Sequence, residues 1–394
     1  MTRIVRMAAR GDGVTADGTF VAGAVTGDAV DGGRVIPGPH HVEPVCRHVS
    51  DCGGCQLQHA DEQVLAKFAV GRVLATLASV DLQPETMRPV HLSPPKSRRR
   101  VSLRAALTAE GLVLGFNQEG SHSIFDMTEC HVMTDALLAC VQSLRPVIAG
   151  LLKPGWMSAV AITETAGGFD VVLSNLEPSP KTTSVLSTWA KRAGAARVSL
   201  ETHMGVETAV QRAVPTMRFA GVDVELPPGA FLQATADGEA ALVAAVRQMC
   251  EEAGRVADLF SGLGTFALPL SDHARIMAVD GARPAVQALA TAARRARRRI
   301  EVQHRDLFRQ PLAARELDKF DVVVLDPPRA GAKAQAEMIA ASKVDNIAYV
   351  SCNPNTFARD ARILCAAGFR IAELWPVGQF RWSTHVELAA HFIR

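Results

Sequence analysis

Val256-Ala257-Asp258-Leu259-Phe260-Ser261-Gly262-Leu263-Gly264-Thr265 is a short apolar strand running directly into two closely spaced glycines. It follows an alanine-rich amphipathic pattern that runs from Ala236 to about Ala253. Further strands are predicted at Arg275 to Asp280, Ile300 to Asp306, Phe320 to Asp326 and Asn346 to Cys352, with a helical segment between each pair. Strand and helix alternating in this way give an α/β fold: a mostly parallel sheet covered on both faces. Two closing apolar stretches, Arg370 to Phe380 and Val386 to Ile393, have no helix between them and must pair antiparallel.

Ligands of such a sheet bind at the carboxyl ends of its strands. Gly262 and Gly264 let the chain turn tightly and let a cofactor approach the backbone. Asp280, 22 residues after Asp258 and ending the second strand, suits a carboxylate that accepts hydrogen bonds from a ribose diol. Ala267 stands where the dinucleotide fingerprint requires its third glycine. That departure counts against a nicotinamide cofactor, and Asp258 together with Asp326-Pro327-Pro328 suits a methyl-donor site. Asp306, ending the third strand, is placed to reach an adenine amino group.

Tyr349-Val350-Ser351-Cys352-Asn353-Pro354-Asn355-Thr356 puts a cysteine at the edge of a buried parallel strand, just before a helix starting near Asn355. The positive end of that helix is expected to favour the thiolate of Cys352.

The whole chain has 394 residues, enough for two or three domains. A net charge of only +2 leaves any nucleic-acid affinity to local patches. The arginine-bearing start lacks an apolar signal region, and no stretch is long and apolar enough for a membrane span; the expectation is a cytoplasmic protein. Eight cysteines in a reducing compartment point to metal or catalysis rather than to disulfides. Three of them form the array Cys46-x5-Cys52-x2-Cys55, and Cys130 is the best fourth ligand because Cys140 falls in an apolar helical pattern. Spacing leaves zinc and an iron-sulfur cluster equally acceptable.

The expected organisation is a small β module over 1–45, a metal segment over 46–90, a β-rich middle domain over 91–230 and the α/β domain over 231–394. Two basic strips stand out. Lys96-Ser97-Arg98-Arg99-Arg100 reads as a solvated edge or a phosphate contact, and Arg294 to Arg299 reads as a complement to a helix C-terminus.

With these residues in place, the chain resembles the RNA uracil-5 methyltransferases, in particular the iron-sulfur branch that acts on 23S ribosomal RNA. The matching marks are the cysteine array with Cys130, Phe231-Leu232-Gln233, the run Asp258 to Thr265, Asp326-Pro-Pro-Arg-Ala-Gly331, Ser351-Cys-Asn-Pro354 and His385-Val-Glu387. The resemblance implies a class I methyltransferase sheet with a Rossmann-like order, S-adenosyl-L-methionine bound by Gln233, Phe260, Thr265, Asp280, Asp306 and Asp326, and a four-iron four-sulfur cluster on Cys46, Cys52, Cys55 and Cys130. It also implies Cys352 as nucleophile, Glu387 as base and a monomer that takes RNA, with 23S ribosomal RNA ahead of transfer RNA. The N-terminal module looks like a shortened form of the RNA-binding barrel of relatives, Thr265 and Asp306 stand where asparagine is common, and Asp280 stands where glutamate is common. Rival readings are an amino-group methyltransferase, which has no use for Cys352, and a catalytically silent RNA-binding assembly factor.

Overall fold

The computed structural model describes residues 1–118 and 120–394. Its C-terminal part is a nine-stranded sheet. Strands Ile300–His304, Arg275–Asp280, Arg255–Leu259, Val322–Leu325 and Asn346–Ser351 lie side by side in that order, all parallel. The interiors of the four strands inside the edge strand Ile300–His304 are Val-, Ile- and Ala-rich and buried, as strands covered on both faces must be. One face packs around Leu259, Val323, Ile347 and Phe357; the other packs around Leu268, Leu289, Val324 and Val350.

Glu387–Ile393 inserts antiparallel between Asn346–Ser351 and the strand Arg370–Gly378, so the closing pair forms as expected and the final strand is internal. Arg370–Gly378 then pairs in parallel with Thr86–Met87 and His91–Leu92. These two short strands flank the expected boundary at residue 90, and the helix Glu62–Ala78 before them buries Ala69, Val73 and Leu77 in the core of the same sheet. The order of elements along the chain does not announce this return, because the pairing spans nearly 300 residues.

The middle of the chain is a six-stranded sheet from Arg100–Thr108 to Gly205–Gln211, carrying the helices Asp135–Leu151 and Pro180–Ala193 on a core of its own. Residues 2–36 form a small five-stranded sheet. Among the described residues no helix is long and apolar enough to cross a membrane.

Candidate active site

The functional side chains collect where the parallel strands end. Leu259 leads into Phe260, which has φ +63°, and then to Gly262 at +51° and Gly264 at +91°. A side chain at Gly264 would place its Cβ 2.5 Å from Leu289 Cδ1, so the loop closes onto its helix only with glycine there. Thr265 sits half-buried in the turn that follows.

Asp280 ends its strand as expected and accepts the Gly262 N–H at Oδ2 (2.9 Å) and the Ala282 N–H at Oδ1 (2.6 Å). Each of its oxygens keeps a further lone pair for a diol. Asp306 lies two residues beyond its strand, where Oδ1 accepts the backbone N–H groups of Phe308 (3.0 Å) and Arg309 (3.3 Å). Its Oδ1 thus builds a turn, while its Oδ2 lies 3.5 Å from the exposed Arg309 Nε. The turn it builds presents Phe308, half-exposed, with its ring 5.4 Å from that of Phe260. The two rings, tilted by 54° to each other, give the strand ends an apolar surface. The signal for Phe308, an aromatic two residues past a strand-end carboxylate, was legible and missed.

Asp258 and Asp326 lie deeper. Neither carboxylate oxygen of the fully buried Asp258 has a hydrogen-bond partner among the described residues. Burial, together with the neighbouring charges of Asp326 and Asp280, holds its carboxyl well above the usual range. Asp326 is pushed up to about 7, by burial and then by Asp280. Three carboxylates in electrostatic reach of one another at the strand ends, the buried one with no partner, fit a cationic ligand, and a sulfonium with its ammonium group is one.

Cys352 and Glu387 are brought together by strand register. Ser351 pairs with Leu388 on the antiparallel neighbour, so the same register carried one residue further sets Cys352 opposite Glu387. Glu387 is buried and its carboxyl is pushed up to about 8 by burial and by Asp326, against hydrogen bonding from Gln379 and the charge of Arg329. The Cys352 thiol is raised as well, by burial and by the Glu387 and Asp326 carboxylates, with Arg329 opposing. The expected thiolate-favouring environment is thus corrected: Asn353 caps the helix Pro354–Ala366, and burial with the two carboxylates outweighs what remains at its positive end. Arg329 is exposed, makes no ion pair among the described residues and is the cation in electrostatic reach of Cys352, Glu387 and His385.

Gln233 is buried in a loop gripped from two sides. Arg100 Nη1 donates to Leu232 O (2.7 Å) and Arg99 Nε to Gln233 O (3.2 Å), while Arg99 Nη2 pairs with Glu239 at 2.6 Å in a largely buried bridge. Arg99 and Arg100 are therefore neither a solvated edge nor free phosphate contacts, because they hold the Gln233 loop, while Arg98 Nε donates to Arg100 O (3.0 Å) and its guanidinium lies over Phe380. Phe231 projects outward at 66% exposure, under the Arg100 guanidinium 4.8 Å from its ring centre, so it is not core.

The cysteine array docks on the loop that carries Cys130. Arg47 N–H donates to Glu129 Oε1 (2.9 Å), His48 Nε2 meets Thr128 Oγ1 (2.8 Å), and Gly53 N–H donates to Asn117 O (3.1 Å). Burial raises the thiols of Cys46, Cys52 and Cys55, the last to about 12, and the Cys130 sulfur adds to the rise in all three. Four thiols in mutual electrostatic reach fit a thiolate-bound metal centre. Glu129 and His131 also approach the Cys46 sulfur, forming a mixed donor group within 4.8 Å. Cys140 is buried in the helix Asp135–Leu151, within the middle-domain core.

A strand-end site of this kind, on a parallel sheet with an antiparallel insertion, is that of an α/β protein that takes its ligand at the strand carboxyl ends. A family model described as tRNA (uracil-5-)-methyltransferase matches residues 222–394. An uncharacterised RNA methyltransferase of Zymomonas mobilis is 44% identical over the full length of both chains. A 23S rRNA (uracil-C5)-methyltransferase of Pectobacterium atrosepticum is 31% identical, covering 91% of this chain and 82% of its own. The solved tRNA (uracil-54, C5)-methyltransferase of Pyrococcus abyssi, in complex with S-adenosyl-L-homocysteine, superposes with a TM-score of 0.75 at 22% identity over 100% and 99% of the two chains. The chain belongs to the S-adenosylmethionine-dependent RNA uracil-5 methyltransferase family.

Proposed function

We propose that this protein methylates carbon 5 of a uridine in 23S ribosomal RNA through a covalent adduct between Cys352 and carbon 6, and that Cys46, Cys52, Cys55 and Cys130 hold one four-iron four-sulfur cluster. The observation that carries the reading is the register that sets Cys352 against Glu387 beside Asp326. Gln233, Phe260, Thr265, Asp280 and Asp326 frame the cofactor, with Asp306 acting through the turn that displays Phe308. Bound S-adenosylmethionine supplies an electrophilic methyl group to the cleft.

The Cys352 sulfur attacks carbon 6 of the flipped uracil and passes its proton to a neighbouring carboxylate, leaving electron density on carbon 5 and the carbon 4 oxygen. Carbon 5 takes the methyl group as the methyl's bond to the donor sulfonium breaks, its electron pair staying on that sulfur, which leaves as a neutral thioether. Glu387 then removes the remaining proton from carbon 5; the double bond re-forms as the bond from sulfur to carbon 6 breaks and the thiolate leaves. Arg329, the cation facing both groups, offsets negative charge developing on the ring. The cysteine cluster lies on the turn joined to the middle sheet and has no part in these bond changes; its role here is to fasten residues 46–55 to the loop of Cys130.

The 23S assignment is supported by the relative from Pectobacterium atrosepticum, which aligns over most of both chains. The test offers 23S ribosomal RNA and transfer RNA, each transcribed with 5-tritiated uridine, to the purified chain with S-adenosylmethionine. Tritium release from the 23S transcript alone is expected. Release from transfer RNA alone overturns the substrate, and release from neither overturns the activity.

A further inference from the structure

We propose that Gln379 is a positioning residue of the methyl transfer reaction: its carboxamide locks the Glu387 carboxylate and the Gln233 loop into one unit at a fixed orientation. The proposal rests on the reading of Glu387 as the base.

Gln379 lies in the loop just past the strand Arg370–Gly378 and is 2% exposed. Its Nε2 donates to Gln233 Oε1 at 2.7 Å and also to Glu387 Oε2, so both amide hydrogens are used. The other end is fixed independently, because Oε1 accepts the Thr235 backbone N–H at 3.3 Å. A flipped amide would set its carbonyl against the Glu387 carboxylate and against Gln233 Oε1, and its NH2 against a backbone donor, so one orientation alone satisfies all three partners.

The space for this side chain is built. Gly238 opens the helix Ala236–Met249, and a Cβ there would stand 2.7 Å from Gln379 Cβ and 3.3 Å from its Oε1. Thr235 Oγ1 caps the same helix through the Gly238 N–H at 3.1 Å, tying the amide to a helix start. A buried polar group with every partner satisfied holds its geometry far better than a carboxylate free to rotate.

The charged and titratable groups facing Glu387 are Asp326 and Arg329, from the loop after Val322–Leu325, and Cys352 just past Asn346–Ser351; His385 lies two residues before it, ahead of the strand Glu387–Ile393. Among the described residues Gln379 is its hydrogen-bond donor. The amide thus favours the ionised form that can take a proton and aims it along the strand edge.

The test is the pH profile of tritium release by the full-length protein carrying Gln379→Leu, on whichever transcript the wild type methylates. The midpoint of the rising limb is expected to move up by about one unit, with release slowed about tenfold at pH 7 and recovering at alkaline pH. Covalent protein-RNA adduct should accumulate at pH 7 and fall away as the pH is raised. A folded Gln379→Leu protein with the wild-type midpoint and no added adduct overturns the proposal. If Gln379→Leu fails to fold, Gly238→Ala, which keeps the amide and displaces it, reads the same midpoint: a shifted limb supports the proposal and an unshifted one overturns it. Wild-type release by Glu387→Gln would end the assignment of the base, and this proposal with it. An inactive Glu387→Gln beside an unshifted Gln379→Leu ends the proposal alone.

Discussion

Cys352 and Glu387 act in sequence, so their variants should fail differently. Cys352→Ala is expected to give neither product nor adduct while still binding RNA. Glu387→Gln should give a methylated protein-RNA adduct that survives denaturing electrophoresis, and the double variant should behave like Cys352→Ala. Normal turnover by Cys352→Ala would exclude the covalent route. Glu387 also makes a stability prediction. Its folded value of about 8 lies above the ordinary carboxyl range. The unfolded chain therefore ionises first, and stability is lost as pH rises from about 4.5 toward 8. Replacing it with glutamine should raise the melting temperature by about 2–4 °C at pH 8 and by nothing measurable near pH 4. Thermal unfolding at the two pH values checks this, and an equal gain at both would contradict the assigned direction.

At the scale of elements, two joints carry the cofactor loops. Gly264 has φ +91° and no room for a Cβ, so Gly264→Ala should destabilise the fold by about 2 kcal/mol and weaken S-adenosylmethionine binding, read by urea unfolding and calorimetric titration. Arg99→Gln leaves Glu239 buried without its cation and loosens the hold on the Gln233 carbonyl. A loss of about 3 kcal/mol in stability, with weaker cofactor binding and an unchanged salt dependence of RNA binding, is expected. A flatter salt slope at full stability would return this arginine to the role of phosphate contact.

Across the whole molecule, the cysteine turn ties three parts of the chain together. It docks on the loop of Cys130, while Gln56 and Leu57 just beyond it donate to Trp382 O in the loop that leads to Glu387. Protein purified without oxygen should carry about four iron and four sulfide per chain and absorb broadly in the visible. Cys130→Ser should lose most of that colour and Cys140→Ser should keep it. Stripping the metal should also expose residues 46–60 to proteolysis, since the turn would then lose the bonds that fasten it to the loop of Cys130. Stoichiometric zinc without iron would overturn the cluster.

What the sequence determined was whatever is local or periodic. The parallel strands came from apolar runs bounded by breakers, the cofactor turn from Gly262 and Gly264, and the strand-end positions of Asp280, Asp326 and Cys352 from counting along each run. Tertiary structure alone decided what depends on partners far along the chain. Arg99 and Arg100 read as a basic surface until Gln233 and Glu239, more than 130 residues away, engaged them. The helix after Cys352 predicted a lowered thiol, and the register with Glu387 reversed it, because charge and burial from a neighbouring strand outweigh a capped helix end. Gln379 carried no signal at all: an amide is neutral and mobile in sequence, and it gains direction only when folding surrounds it with one donor and two acceptors.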